Sequence, residues 1–240
     1  MNTMLRPDTS HSAAEALSTV PYFVELAPEC PITVEALTRG VIRRDYDQGQ
    51  VVFLEGEACL GLYVVQAGWF KSVKMSPAGR EQVVRFVGPG EVFNEVGVLI
   101  ESHQNLVTVI ALEAARVWLI PREILLQLME QCPRLTQLII RHLAERVLYL
   151  LTLVEDLSLR TVAARLARLL LEQSTAGTVH RRRWATQAEM AARLGTVPDV
   201  LSRVLRSLTD EGLIKVERQR IKILDHAGLE RMARDEEEAK

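Results

Sequence analysis

The chain has 240 residues, 48% of them hydrophobic and 25% charged, values that fit a folded protein of two modest domains and exclude a disordered or fibrous one. Its formal charge is only −2, yet the charge is segregated: residues 180–224 carry ten Lys and Arg against five Asp and Glu, about +5, which leaves about −7 on the remaining 195. A basic segment joined to an acidic remainder is the footprint of a phosphate-binding module attached to something else.

The longest apolar run, Val147 to Val154, is broken by Thr152 and falls well short of the roughly 20 residues that a bilayer span requires. No basic-then-apolar leader opens the chain, so the expectation is a cytoplasmic protein with no membrane partner. Cys30, Cys59 and Cys132 are scattered, with no Cys-x-x-Cys pair and no His at ligand spacing. Such a set argues against a disulfide framework, a zinc site or a locally assembled iron–sulfur cluster, and each thiol is expected as a small buried hydrophobe with no metal to bind.

Taken in order, residues 1–15 are polar and aperiodic and read as a mobile tail. Val20 to Leu26 is apolar and is expected to dock on the first domain, residues 16–131. From Val41 to Ile120 short apolar or alternating runs are separated by glycine: Val51–Leu54, Leu62–Val65, Phe70–Met75, Val83–Val87, Val107–Ile110 and Val117–Ile120. Regular short strands with turn punctuation predict an antiparallel, jelly-roll-like β-roll of the kind that encloses a small ligand, in a chain of α+β class.

Pro121 opens a helical stretch and Cys132-Pro133 restarts it, giving a long helix over 132–157. Along it Ile140, Leu143, Val147, Leu150, Val154 and Leu157 recur at spacings of 3 and 4, a heptad seam that predicts a parallel two-stranded coiled coil. Leu135, Leu138, Leu148 and Leu151 supply a second apolar surface for the helix's own domain. Ser158–Arg160 is the expected hinge, Thr161 an N-cap, and Val162–Gln173 the first helix of the last domain, residues 158–240.

Thr186 followed by Glu189 is a capping box, Met190, Ala191 and Leu194 form one apolar face, and Gly195 stands where a left-handed cap would. Pro198 then suits the first position of a second helix, whose stripe Val200, Leu201, Val204, Leu205, Leu208 runs to Gly212. Its opposite face carries Asp199, Ser202, Arg203 and Arg206, side chains that can bond base edges in a major groove. Two apolar strands, Leu213–Val216 and Ile221–Leu224, flank Glu217-Arg218-Gln219-Arg220 as a basic wing, and His180–Trp184 reads as a short basic strand upstream.

A glycine-punctuated β-roll containing Pro89-Gly90-Glu91-Val92-Phe93-Asn94-Glu95-Val96-Gly97, a long helix and a winged helix-turn-helix together resemble the Crp/Fnr family of bacterial transcription regulators, over roughly residues 20–230. The resemblance implies a homodimer that binds a palindromic double-stranded DNA site, with RNA polymerase as a further partner. It places Asp199, Ser202 and Arg203 at the base-reading positions, and Thr186, Gln187, Arg206, Arg218 and Arg220 at phosphate or flanking contacts. Ser202-Arg203 is as in the Fnr-like branch; Asp199 stands where Glu is usual and Pro198 departs from both branches. A TGTGA- or TTGAT-like inverted repeat is the implied operator.

The effector pocket implied by the family comprises Phe93, Asn94, Glu95, Asn105, Leu106 and Leu150. Cyclic-AMP-binding members have Gly-Glu followed, some nine residues on, by Arg and then Ser or Thr. Here Glu95 matches, but Asn94 replaces the Gly, Asn105 and Leu106 replace the Arg and hydroxyl residue, and Leu150 and Leu151 stand where the adenine would be met. A phosphate without a cation would be uncompensated in a low-dielectric pocket, which argues against cyclic AMP. Fnr's N-terminal cysteine cluster is absent. Haem stays open, with His103, His142 and Cys59 as candidate iron ligands, as do a hydrophobic small molecule, a redox change at a cysteine, or no effector. The resemblance also implies a population shift, in which the effector changes the packing of the β-roll on the dimer helix, the hinge and the separation of the two recognition helices.

Two rival classes stand beside this reading. One is a ligand-sensing regulatory subunit that binds protein rather than DNA. The other, an enzyme, finds no Ser-His-Asp or metal spacing, and Gly88–Gly97 is neither a P-loop nor a dinucleotide fingerprint, so no catalytic residue is expected.

Overall fold

The apolar runs Leu62–Val65 and Val117–Ile120 lack polar alternation because the strands they form are covered on both faces. A computed structural model describes residues 9–180 and 182–234. They group into two units, the first running up to Lys74 together with Val84–Leu148, the second taking Met75–Val83 and the described residues from Tyr149 on.

The first unit opens with three helices, α1 (Thr9–Leu17), α2 (Pro21–Leu26) and α3 (Pro31–Gly40). Pro21 and Pro31 each sit at a helix start, where a missing N–H costs nothing. The expected tail is corrected from residue 9 onward, since Ala13 and Ala16 of α1 are buried; residues 1–8 lie outside the described residues. The docking of Val20–Leu26 is met by α2, which buries Tyr22, Phe23 and Leu26.

The β-roll follows: β1 (Ile42–Tyr46), β2 (Val51–Phe53), β3 (Gly61–Ala67), β4 (Phe70–Met75), β5 (Glu81–Val87), β6 (Val92–Phe93), helix α4 (Glu95–Leu99), β7 (Thr108–Ala111) and β8 (Ala115–Pro121). It forms two four-stranded sheets, β1-β8-β3-β6 and β2-β7-β4-β5, with antiparallel pairing. Along β3 and β8, Tyr63, Val65, Val117 and Leu119 point into the layer between the sheets, with Phe53, Phe70 and Phe93. The alternate residues Leu62, Val64, Trp118 and Ile120 face the helices, packing with Phe23, Leu26 and Leu135. The strand β1 is charged and lies at a sheet edge, where such residues remain solvated.

Two more helices complete this part, α5 (Arg122–Gln131) and the long α6 (Pro133–Leu159), whose residues are divided between the two units. Only its first turns are core: Leu135, Leu138 and Ile139 are buried and Leu143 packs against them.

The second unit comprises α7 (Val162–Gln173), β9 (Thr178–His180), α8 (Gln187–Arg193), α9 (Pro198–Asp210), β10 (Ile214–Val216), β11 (Arg220–Ile223) and α10 (His226–Ala233). Its strands pair antiparallel in the order β10-β11-β9. Leu166, Leu170, Leu201, Leu205, Leu208, Ile214, Ile221 and Leu229 make its core. The expected cap at Thr161 forms, its hydroxyl accepting from the Ala164 amide at 3.1 Å.

Gly61 has φ +154°, and a Cβ there would lie 2.0 Å from the Ile120 carbonyl oxygen of the paired strand. Gly56 also has positive φ but open space around it. Gly61→Ala is therefore expected to cost about 2–4 kcal/mol in denaturant unfolding, and Gly56→Ala about 1 kcal/mol or less. Equal costs at the two positions would refute the close β3–β8 approach.

Candidate nucleic-acid interface and effector pocket

The strongest amphipathic pattern in the chain is α9. Leu201, Leu205 and Leu208 are buried, Val204 is half-buried, and full burial of such side chains is worth about 1.5–3 kcal/mol each. That stripe fixes the rotation of the helix, so Asp199, Arg203 and Arg206 are exposed and Ser202 half-exposed. Asp199 lies in the first turn, where a carboxylate also complements the helix dipole. The Ser202 hydroxyl is 3.5 Å from Gln187 Oε1 on the preceding helix, bringing an α8 side chain to the same face.

At the start of α8 one half of the expected capping box forms, while the Thr186 amide goes to a backbone carbonyl instead of the Glu189 carboxylate. Thr186 Oγ1 accepts from the Glu189 amide at 3.2 Å, and the Thr186 amide donates to the Trp184 carbonyl at 2.8 Å. Gly195 follows α8 at φ +65°, a conformation that costs glycine nothing. A Cβ there would lie 2.5 Å from Leu157 Cδ2, so Leu157 of the expected seam is packed against this turn. Gln82 of the β4–β5 tip donates to the Arg193 carbonyl at 3.4 Å, and Arg80 donates to that of Gly195. Thr186 and Gln187 are exposed at the same end of α8.

The wing departs from expectation in one respect. Arg220 and Lys222 both pair with Glu217, the latter at 3.4 Å, and Arg220 holds the Glu217 carboxyl below the usual carboxylate range. Arg218 at the tip is exposed and makes no ion pair among the described residues. Upstream, the expected strand His180–Trp184 is corrected to Thr178–His180, with Arg182 and Arg183 exposed in a turn; Arg181 lies outside the described residues.

In the first unit, Asn94 adopts φ 77°, ψ 19°, the left-handed conformation that glycine takes freely and asparagine tolerates. Its amide Nδ2 donates to Asn105 Oδ1 at 2.9 Å, to the Gly61 carbonyl at 3.1 Å and to Cys59 Sγ at 3.2 Å. Asn105 is 2% exposed and its backbone is locked by bonds to Glu57 and Gly56. A neutral amide pair, joined by one hydrogen bond, therefore occupies the two positions where the resemblance implies a phosphate cradle, and Asn105 Nδ2 points to the Leu54 carbonyl at 3.5 Å. Phe93 is buried, stacked on Tyr63 with centroids 4.9 Å apart. Leu106 and Leu150 are exposed, and Leu150 belongs to the second unit.

Glu95 is buried, and its Oε1 lies 3.0 Å from Nε2 of His142 on α6. The His142 ring packs 5.4 Å from that of Tyr22, whose hydroxyl is buried without a hydrogen-bond partner and lines a small cavity with Glu95. Burial first, and the facing Glu95 carboxylate second, push the Tyr22 phenol well above its ordinary value, keeping it a neutral O–H. Of the candidate iron ligands, His142 is thus engaged by Glu95, and His103 Nδ1 lies 2.8 Å from the Ile100 carbonyl. Cys59 is not on a strand edge but buried in the turn before β3. Among the described residues no group of three or more His, Cys, Asp or Glu is placed to hold a metal ion.

Along α6 the exposed large apolar side chains are Ile140, Val147, Leu148, Tyr149, Leu150, Leu151, Val154 and Leu159. Leu148 and Leu151, expected to pack on the helix's own domain, are 66% and 61% exposed, which corrects that expectation. Leu143 is turned to the core instead. No described helix is long and apolar enough to cross a membrane.

A β-roll followed by a helix-turn-helix with an outward polar recognition face and a wing defines a DNA-binding transcription regulator. Residues 43–132 match the cyclic nucleotide-binding domain family and residues 164–232 the Crp-like helix-turn-helix domain family. The cyclic AMP receptor protein of Thermus thermophilus is 30% identical over 217 residues, 89% of this chain and 96% of the relative. The fumarate and nitrate reduction regulatory protein of Vibrio cholerae is 28% identical over 204 residues, covering 82% and 81%. A crystal structure of a crp/fnr-family transcriptional regulator from Eubacterium rectale superposes with a TM-score of 0.71 at 25% identity, covering 89% of this chain and 99% of that one. The chain belongs to the Crp/Fnr family.

Proposed function

We propose that this regulator acts in the cytoplasm as a homodimer on an inverted-repeat DNA site, under the control of an effector other than cyclic AMP. The observation that carries the DNA reading is the rotation of α9: its leucine stripe is buried and Asp199, Ser202 and Arg203 are left on the open face. Arg203 reads a guanine, Asp199 accepts from a cytosine amine, and Ser202 bonds either strand. Thr186, Gln187, Arg206 and Arg218 hold phosphates, with Arg220 acting mainly to orient Glu217 and the wing.

The stalk of the dimer is α6. With Leu143 turned inward, the exposed heptad becomes Ile140, Ala144, Val147, Leu151 and Val154, again at spacings of 4 and 3. Two such helices set the recognition helices for half-sites about one helical turn, roughly 34 Å, apart. RNA polymerase is the further partner that the family implies.

The effector reading rests on Asn94 and Asn105. The Thermus relative is named a cyclic AMP receptor, but here the phosphate position holds a buried neutral amide and Glu95 is already bonded to His142. Desolvating a phosphate without a cation is costly, so a neutral or apolar effector, or a covalent change, suits this unit better. Effector occupancy then shifts the population of DNA-competent dimers.

Three measurements test these readings. Arg203→Ala should cost about 1–3 kcal/mol on a cognate duplex and relax preference at one base pair, while Arg218→Ala weakens all duplexes alike and flattens the salt dependence; equal effects on every sequence would remove Arg203 from base readout. Val147→Glu should yield monomers in sedimentation, and an unchanged dimer mass would displace the seam. Cyclic AMP should give no binding heat and leave DNA affinity unchanged; a saturable isotherm would overturn the effector reading.

A further inference from the structure

One contact in the first unit lies outside everything that DNA binding requires. Cys132 Sγ is 3.1 Å from Cys30 Sγ, across a sequence separation of 102 residues. Cys30 caps the start of α3 and is half-buried; Cys132 lies at the α5–α6 junction and is 5% exposed. A disulfide needs about 2.05 Å between sulfurs, so closure requires a movement of only about 1 Å.

The pair ends a row of contacts between the α2 segment and the start of α6. Tyr22 packs on His142, Glu25 pairs with Arg141 at 2.5 Å, and Glu29 pairs with Arg134 at 3.0 Å. The chain numbers rise on one side as they fall on the other, so α2 lies antiparallel to the first turns of α6, with the thiols where α6 begins. Exposed ion pairs of this kind hold weakly and are screened by salt. The Cys132 carbonyl accepts from the amides of Leu135 and Thr136, so the residue bearing the thiol also anchors the first turn of α6.

We propose that Cys30 and Cys132 form a reversible disulfide that staples the α2 segment to the start of the dimer helix, making this regulator responsive to thiol–disulfide poise. The switch as a DNA-level device rests on the function proposed above; formation of the bond does not. The oxidant is a small-molecule disulfide. The Cys30 thiolate, the more accessible sulfur, attacks one sulfur of that disulfide and expels a thiolate, leaving a mixed disulfide. The Cys132 thiolate then attacks the Cys30 sulfur and expels the second small-molecule thiolate. Two protein S–H bonds and one small-molecule S–S bond are lost, one protein S–S bond and two small-molecule thiols are gained, and the two protons end on the small thiols. The hydrogen bond with Cys132, then burial, raises the Cys30 thiol above its ordinary value, so exchange quickens as pH rises. The staple fixes Tyr22 against His142 and so bears on the Glu95–His142 bond at the effector position.

The test uses the full-length protein equilibrated in mixtures of reduced and oxidised dithiothreitol, trapped by alkylation and digested without reduction. The expected result is one peptide pair joining Cys30 to Cys132, reversed by excess reduced reagent, absent in Cys30→Ala and Cys132→Ala, and retained in Cys59→Ser. The oxidised protein should melt roughly 10 °C higher, since the cross-link closes a loop of about 100 residues. Its Kd for a duplex that the reduced protein binds should change by at least about threefold, with Cys30→Ala showing no such change. Free alkylation of both thiols in excess oxidised reagent, or a bond to Cys59 or between two chains, overturns the site. A Cys30–Cys132 bond that leaves Kd within about twofold overturns the switch. Failure of the reduced protein to bind DNA at all would instead fall on the DNA reading and leave the mass result standing.

Discussion

The buried stripe of α9 is the constraint on which the regulator depends. A helix of thirteen residues has one rotation that puts Leu201, Leu205 and Leu208 into the core, and Asp199, Arg203 and Arg206, each one or two positions from a buried leucine and so about 100–200° around the helix, then face outward. Core packing therefore decides which side chains of α9 are presented. Any substitution that lets α9 roll would turn the face on which the proposed base readout rests. Pro198 and Gly212 close the two ends of this helix, the first by tolerating a missing N–H and the second by taking φ +74°, so its register along the sequence is fixed as well as its rotation.

The β-roll shows the same economy with a different chemistry. Most of the polar groups near Asn94 are bonded to one another, and the local backbone is set by a left-handed asparagine that glycine would replace without strain. Keeping that backbone while adding an amide fills the space beside Gly97, where a Cβ would come within 2.7 Å of Asn94 Oδ1. Asn94 and Gly97 are thus a matched pair, and the Asn94 amide is bonded to that of the buried Asn105. Glu95 is bonded by His142 from α6.

Much of this was legible in the sequence, for identifiable reasons. Local signals were read correctly where they are physically self-contained: the Thr186 and Thr161 caps, the glycine after α8 and the prolines that open helices. Six strands were found because apolar runs between glycines are dense, whereas the charged edge strand β1 and the two-residue β6 offer no periodicity to read. Helix α1 was missed because its apolar content is largely alanine, whose burial depends on partners far along the chain. The expected seam includes Leu143 and Leu157, which pack on their own chain, and the uncovered stripe runs through Ala144 and Leu151 in place of Leu143 and Leu150, since a leucine at heptad spacing looks the same whether it faces a partner or its own core. Long-range pairs such as Glu95 with His142 and Cys30 with Cys132 left no trace, because no spacing rule links residues 47 or 102 apart.

What remains is the question of why α6 is so apolar where nothing of its own chain covers it. Val147, Leu148, Leu151 and Val154 are each more than half exposed, on a helix whose first turns are already fully used by the core. Single exposed leucines scattered over a surface would not fall at heptad spacing, as these do. Glu155 lies beside the stripe and Glu145 well away from it, so neither interrupts it. The helix thus begins as core and continues as an apolar stripe at heptad spacing, the feature from which the proposed pairing of two copies is argued. His142 and the thiol of Cys132 both belong to its first part, the part that packs on the β-roll.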